Sequence, residues 1–119
     1  MPLEKVNLAE KLASFDEPFS PRIVGYYNDT KIQVAKTKGP FVWHSHPDTD
    51  DLFLVLAGRL RVELRDGEVE LGEGELLVVP RGVEHRPVAD DEAHVLLLEL
   101  KGTPNTGDAD AEPAPEVEI

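Results

Sequence analysis

Cysteine is absent from all 119 residues. No disulfide can form, thiolate catalysis is excluded, and any bound metal ion must be held by nitrogen and oxygen. Basic residues are scarce: 12 Lys and Arg face 24 Asp and Glu, for a net charge of -12. Nucleic acid and anionic membrane surfaces, which are bound chiefly by cations neutralising phosphates, are therefore expected to be poor partners. No apolar run approaches the roughly 20 residues that span a bilayer. The opening Met1-Pro2-Leu3-Glu4-Lys5 lacks the basic-then-apolar plan of a secretory leader, so a cytoplasmic location is expected. Also missing are G-x-S-x-G, a phosphate loop and a dinucleotide fingerprint, which leaves serine hydrolases, nucleotide enzymes and NAD enzymes without support.

What is present suits one domain. Asn7-Leu8-Ala9-Glu10 has the form of a capping box, and Leu8, Leu12 and Phe15 follow at helical spacing, predicting a short helix over about 8–15. From Arg22 the chain changes to short extended runs broken by turn residues. The runs are 23–27, 31–38, 41–46, 52–56, 60–64, 68–71, 76–79, 82–88 and 93–100, with Asp66-Gly67 as a tight hairpin and Asp90-Asp91 as a turn. Many short strands at regular spacing with no helix between them predict an all-β sandwich or barrel over 22–102. Residues 1–21 then form a helix and lead-in. Residues 103–119, acidic and rich in Pro and Ala, are expected to be a loose tail or a strap that orders against a partner.

The richest chemistry gathers around Trp43-His44-Ser45-His46 and Asp51, answered by Pro80-Arg81-Gly82-Val83-Glu84-His85. In an extended segment side chains alternate, so His44 and His46 face one way and Ser45 the other. A third imidazole and a carboxylate from neighbouring strands would complete a set of N and O ligands for a divalent transition metal. By the same alternation Asp51 shares a face with Phe53 and Val55, and Asp50 faces out. His94 stands alone without a spacing signal and reads as structural or surface. Glu99 takes no face, because Val95 to Leu98 is apolar in both phases. Arg59, Arg61 and Arg65 are expected to pair with Glu63, Glu68 and Glu70 across the sheet.

These residues resemble the two signature motifs of the cupin superfamily, type-2 cupins in particular. Gly39, His44-Ser45-His46, Asp51 and Gly58 follow the first motif; Gly74, Pro80-Arg81-Gly82 and His85 follow the second. Gly39 lies one residue nearer His44 than in the usual pattern, Ala89 replaces an Asn, and Asp51 stands where a Glu is usual. The resemblance implies a double-stranded β-helix, or jelly roll. It also implies one divalent Mn, Fe, Ni, Co or Zn ion held by His44, His46 and His85, with Asp51 in the carboxylate position. Asp is shorter than Glu by about 1.3 Å, so Asp51 binds the ion directly or through a water.

The resemblance further implies a metal-dependent enzyme, dioxygenase-like or sugar-isomerase-like, acting on a small organic molecule in the barrel. The alternative is a non-catalytic small-molecule binding or sensing module. Val42, Phe53, Val55 and Val83 are the expected inward neighbours, making an apolar pocket with no general base beyond the metal ligands. Small cupins often resemble dimers, so a homodimer is expected, with Trp43 among the side chains it could cover.

Overall fold

A computed structural model describes residues 3–119. The chain opens with α1 (Leu8–Ala13), capped by Asn7, whose Oδ1 accepts the Glu10 N–H at 3.0 Å. The helix stops short of the expected Phe15. That ring still packs with Leu12 against Val34 on the outer face of a sheet.

Eight strands follow: β1 (Arg22–Tyr27), β2 (Thr30–Pro40), β3 (Asp51–Ala57), β4 (Leu60–Leu64), β5 (Gly67–Leu71), β6 (Leu76–Val79), β7 (His85–Leu100) and β8 (Val117–Glu118). They wrap as the jelly roll that the resemblance to the cupin motifs implied. β7 is its spine, because the first part of the strand pairs with β4 and the second lies between β2 and β3. Two predicted runs are therefore one strand of 16 residues. Asp90 and Asp91 do not turn the chain. They ride on its exposed side, where Asp90 meets the Arg61 guanidinium at 2.9 Å. The edge strands β5, β6 and β8 leave the sheet unclosed.

Alternation along β3 and β7 drives Phe53, Val55 and Val95 inward against Leu60, Val62 and Leu71. At the end of β3, Gly58 has φ +81, and an added Cβ would lie 2.9 Å from the Glu92 carbonyl oxygen. Only glycine meets both conditions. On the wet face of β4, Arg61 lies 3.2 Å from Glu63 and 4.0 Å from Glu68, while Arg59 lies 3.8 Å from Glu70. Arg65 instead pairs with Glu84 and lays its guanidinium 3.9 Å from the Trp43 ring centroid. Trp43 is thus half-buried beneath Arg65 and Arg86 of its own chain.

The loose tail is a correction. Residues 103–119 run back over the barrel, β8 pairs with β1 in parallel, and the Ile119 N–H donates to the Ile23 carbonyl at 3.0 Å. Polar bonds hold this segment where apolar content is low: the buried Lys31 Nζ donates to the Thr103 carbonyl at 2.7 Å and to Glu116 Oε1 at 3.0 Å. The strap orders against its own barrel.

Candidate metal centre

His44 and His85 lie directly opposite each other. The His44 N–H donates to the His85 carbonyl at 3.0 Å, and the His85 N–H returns to the His44 carbonyl at 2.9 Å. Segment 41–46 is otherwise irregular, and this bridge aligns the two motifs, flanked by the Phe41 N–H donating to the Pro87 carbonyl and the Gly82 N–H donating to the His46 carbonyl, both at 2.9 Å. Each ring is then turned the same way: Nδ1 of His44 lies 2.9 Å from the Val42 carbonyl, and Nδ1 of His85 lies 2.9 Å from the Val83 carbonyl. A carbonyl can only accept, so Nδ1 carries the proton and Nε2 presents its lone pair inward.

His46 shares the inward face with His44, and their ring centroids are 4.9 Å apart. Asp51, first in β3 and in phase with buried Phe53 and Val55, brings its Oδ2 to 3.3 Å from His46 Nε2 and 3.7 Å from His85 Nε2. The shorter side chain still reaches the space that the imidazoles share. Asp50 points outward and accepts the Arg81 N–H at 3.0 Å.

One possible ligand atom from each of His44, His46, Asp51 and His85 lies within 4.8 Å of the others, and all four residues are buried. Around an ion with bonds near 2.1 Å, adjacent ligand atoms of an octahedron stand about 3.0 Å apart and opposite ones about 4.2 Å. The cluster, spread over up to 4.8 Å, is somewhat wider than that, so the side chains would have to draw in by a few tenths of an ångström to bind an ion. Both nitrogens of His46, Oδ1 of Asp51 and Nε2 of His85 are buried without a hydrogen-bond partner. Such atoms are costly unless a partner satisfies them, and a divalent cation would satisfy one nitrogen of His46, Nε2 of His85 and the Asp51 carboxylate together, leaving the second His46 nitrogen without a partner.

The charges follow. Burial takes His44 down to about 4, leaving it neutral at physiological pH. Burial also works against the His46 cation, but the Asp51 carboxylate beside it, with Glu99 and Asp108, holds its pKa above the ordinary value. Burial favours the neutral Asp51 acid, yet His46 and His85 outweigh it and hold the carboxyl low.

Glu99 is the group the sequence left without a face. It is buried, with Oε2 at 3.9 Å from His46 Nε2 and Oε1 at 3.5 Å from Lys31 Nζ, and Oε1 accepts from Gln33 Nε2 at 3.3 Å. Burial and the Asp51 charge push it up to about 7, so it can hold or release a proton near neutrality. A lone carboxyl in an apolar strand was the available signal. His94 lies away from the cluster, paired with Glu92 at 2.9 Å.

Beside the cluster is a cavity of about 40 Å³, walled by Phe19, Phe41, Phe53 and Leu97, with Asp51 and Glu99 on its polar side. That volume holds a few waters. Phe19 and Phe41 stack at 4.8 Å between centroids. Of the expected lining residues Phe53 is correct. Val55 is buried deeper in the core, and Val42 and Val83 are 36% and 37% exposed, contributing carbonyls to the histidines rather than side chains to the pocket.

A family model described as a cupin domain matches residues 31–101. A cupin-2 domain protein of Shewanella frigidimarina, solved by crystallography, superposes with a TM-score of 0.79 at 38% identity, covering 81% of this chain and 94% of that one. The Bacillus subtilis protein YdbB is 40% identical over 67% of this chain and 66% of its own length. A Saccharolobus solfataricus protein provisionally named a dioxygenase is 28% identical over 76% of this chain, a match that spans only 24% of that protein.

Proposed function

The chain belongs to the cupin-domain family, and from that premise we propose that it is a metal-dependent enzyme acting on a small organic molecule. His44, His46, His85 and Asp51 hold one divalent transition ion in this reading. The observation that carries it is the convergence of four buried residues with ligand atoms within 4.8 Å of one another, several of them unsatisfied by the protein. When bound, the ion would supply Lewis-acid polarisation or oxygen activation. The chain's own part is to fix Nε2 of His44 and His85 through the Val42 and Val83 carbonyls, to exclude water with the Phe19, Phe41 and Phe53 rings, and to hold a proton on Glu99.

A dioxygenase-like reaction is favoured over sugar isomerisation, because a sugar needs many hydrogen-bonding partners and this cavity is mostly aromatic and aliphatic. The provisional name of the Saccharolobus relative supports the same direction. A binding or sensing role is the second reading, favoured by the small volume of the cavity. Metal analysis of protein purified without chelators, followed by oxygen uptake of the Fe(II), Mn(II) and Ni(II) forms with small phenols, separates the two. Metal without turnover supports the sensor, and absence of metal overturns the metal reading.

Ligation requires neutral imidazoles. His44, depressed to about 4, does not compete with the ion at neutral pH, whereas His46, raised, does. Affinity is therefore expected to fall as pH drops through the titration of His46. Metal titrations between pH 8 and pH 5 check this, and a flat profile would count against His46 as a ligand.

We also propose a homodimer. On the outer face, Leu76, Leu54 and Leu96 form one cross-strand row, and Val78, Leu52, Leu98 and Ile32 form the next. Leu76 and Val78 are 56% and 45% exposed on the edge strand β6. A second copy covering this strip would shield both the apolar rows and the edge. Leu76→Glu is expected to halve the mass measured by light scattering at micromolar concentration. A wild-type monomer under those conditions overturns the dimer.

A further inference from the structure

We infer that the C-terminal strap positions the proposed metal centre, with Gly107 and Asp108 holding the His44-Ser45-His46 segment and fixing the ring of His46. This rests on the metal reading above. It concerns residues beyond the matched family segment, which ends at 101.

The three histidines are not anchored alike. His44 and His85 each use the carbonyl two residues earlier in the chain. For His46 the equivalent carbonyl is that of His44, and it already accepts the His85 N–H at 2.9 Å. Nδ1 of His46 has no hydrogen-bond partner although it is buried. The strap takes over the task by packing. A Cβ on Gly107 would lie 3.1 Å from His46 Nδ1 and 3.0 Å from His44 Cδ2, and would run into the Ser45 carbonyl oxygen. Gly107 has φ +54, which also favours glycine. The backbone of the strap therefore closes directly over both rings.

Asp108 fastens it there. Its Oδ1 accepts the Ser45 N–H at 2.6 Å, its Oδ2 accepts from Ser45 Oγ at 2.8 Å, and its own N–H donates to the Ser45 carbonyl at 3.0 Å. All the hydrogen-bonding groups of the residue between the two histidines thus meet one partner. The strap is itself braced: Gly107 N–H donates to the Pro104 carbonyl and Ala109 N–H to the Thr106 carbonyl, both at 2.9 Å. Thr106 is buried, and Asn105 Nδ2 reaches the Phe19 carbonyl at 3.1 Å. A residue that orients a ligand through contacts of this kind is a positioning residue; loss of a group hydrogen-bonded directly to a ligand weakens metal binding by about 10–100-fold, and Asp108, acting through Ser45, is expected at the lower end of that range.

The test is titration of the metal-free full chain with Co²⁺, read by calorimetry and by the visible absorption of the bound ion. The variants are Asp108→Ala, Asp108→Asn, Gly107→Ala, His85→Ala and the exposed tail control Glu112→Ala, with thermal melts of each metal-free protein. Asp108→Ala is expected to weaken Co²⁺ binding by about 10-fold or more and to alter the absorption band. Gly107→Ala should do at least as much. Asp108→Asn keeps an oxygen for the Ser45 N–H and should recover most of the affinity, and Glu112→Ala should match wild type. Wild-type affinity and band in folded Asp108→Ala overturn the proposal, even where its melting temperature falls, since the strap would then only stabilise the fold. If wild type takes up no Co²⁺, or His85→Ala binds like wild type, the metal reading fails and the positioning role falls with it.

Discussion

His85→Ala is expected to lower affinity for a divalent transition ion by more than about 100-fold, beyond the range seen when an outer partner of a ligand is lost. The ring is 1% exposed, its Nε2 has no protein partner, and Val83 fixes its direction. No other side chain in the cluster replaces that nitrogen, and alanine leaves a space that water fills with a weaker ligand. The readout that isolates the effect is the metal-induced rise in melting temperature. For wild type at a free ion concentration 100 times Kd, binding adds about 2.7 kcal/mol. For His85→Ala the metal-free protein will itself melt earlier because a buried ring is gone, but added metal should leave its melting temperature nearly unchanged. An undiminished rise would show that the ion binds elsewhere.

Lys31→Met is expected to destabilise the metal-free protein by about 3–5 kcal/mol at pH 8, the cost of breaking a buried ion pair from one side. Lys31 Nζ lies 3.5 Å from Glu99 Oε1 and both side chains are buried. Glu99 titrates near 7 in the fold against 4.5 in the open chain. A raised carboxyl pKa means that the folded state holds a proton the unfolded state has lost, so stability falls as pH rises from about 4.5 through about 7. Lys31 moderates that fall, and without it the ionised carboxylate is stranded at pH 8. At pH 5 Glu99 is protonated in the fold, and the loss should shrink to about 1–3 kcal/mol for the broken hydrogen bonds to Thr103 and Glu116. Urea unfolding of both proteins at the two pH values checks this. Equal losses would remove Glu99 from the explanation.

An all-β barrel or sandwich and the common face of His44 and His46 were legible because their signals are local, while the jelly-roll topology came only with the resemblance to the cupin motifs. Alternation along 51–57 placed Asp51, Phe53 and Val55 on one buried face, and His44 and His46 declared their common face by a spacing of two. The unread parts depend on distant partners. Glu99 takes its meaning from Gln33, 66 residues away, and from Lys31 on the same strand, so no window around it reveals which way it points. The strap was misread because composition measures apolar content, while Asp108, Lys31 and Thr103 fasten it with polar bonds. Asp90-Asp91 was read as a turn from residue type, but a strand tolerates acidic side chains where they face water. The anchoring of His44 and His85 by carbonyls was equally hidden, since any residue at 42 and 83 would supply the same oxygen.

The long strand β7 also sets a schedule. It begins at residue 85, and β2, β3 and β4 all pair with it. While the chain is being synthesised, those strands emerge first and must wait with unpaired edges and apolar faces until β7 clears the ribosome. Helical proteins can settle turn by turn, but here the sheets can be completed only after most of the chain is made. Until β7 emerges the nascent protein keeps apolar faces open, and its yield in a cell is expected to respond to chaperone supply and to translation speed beyond codon 85.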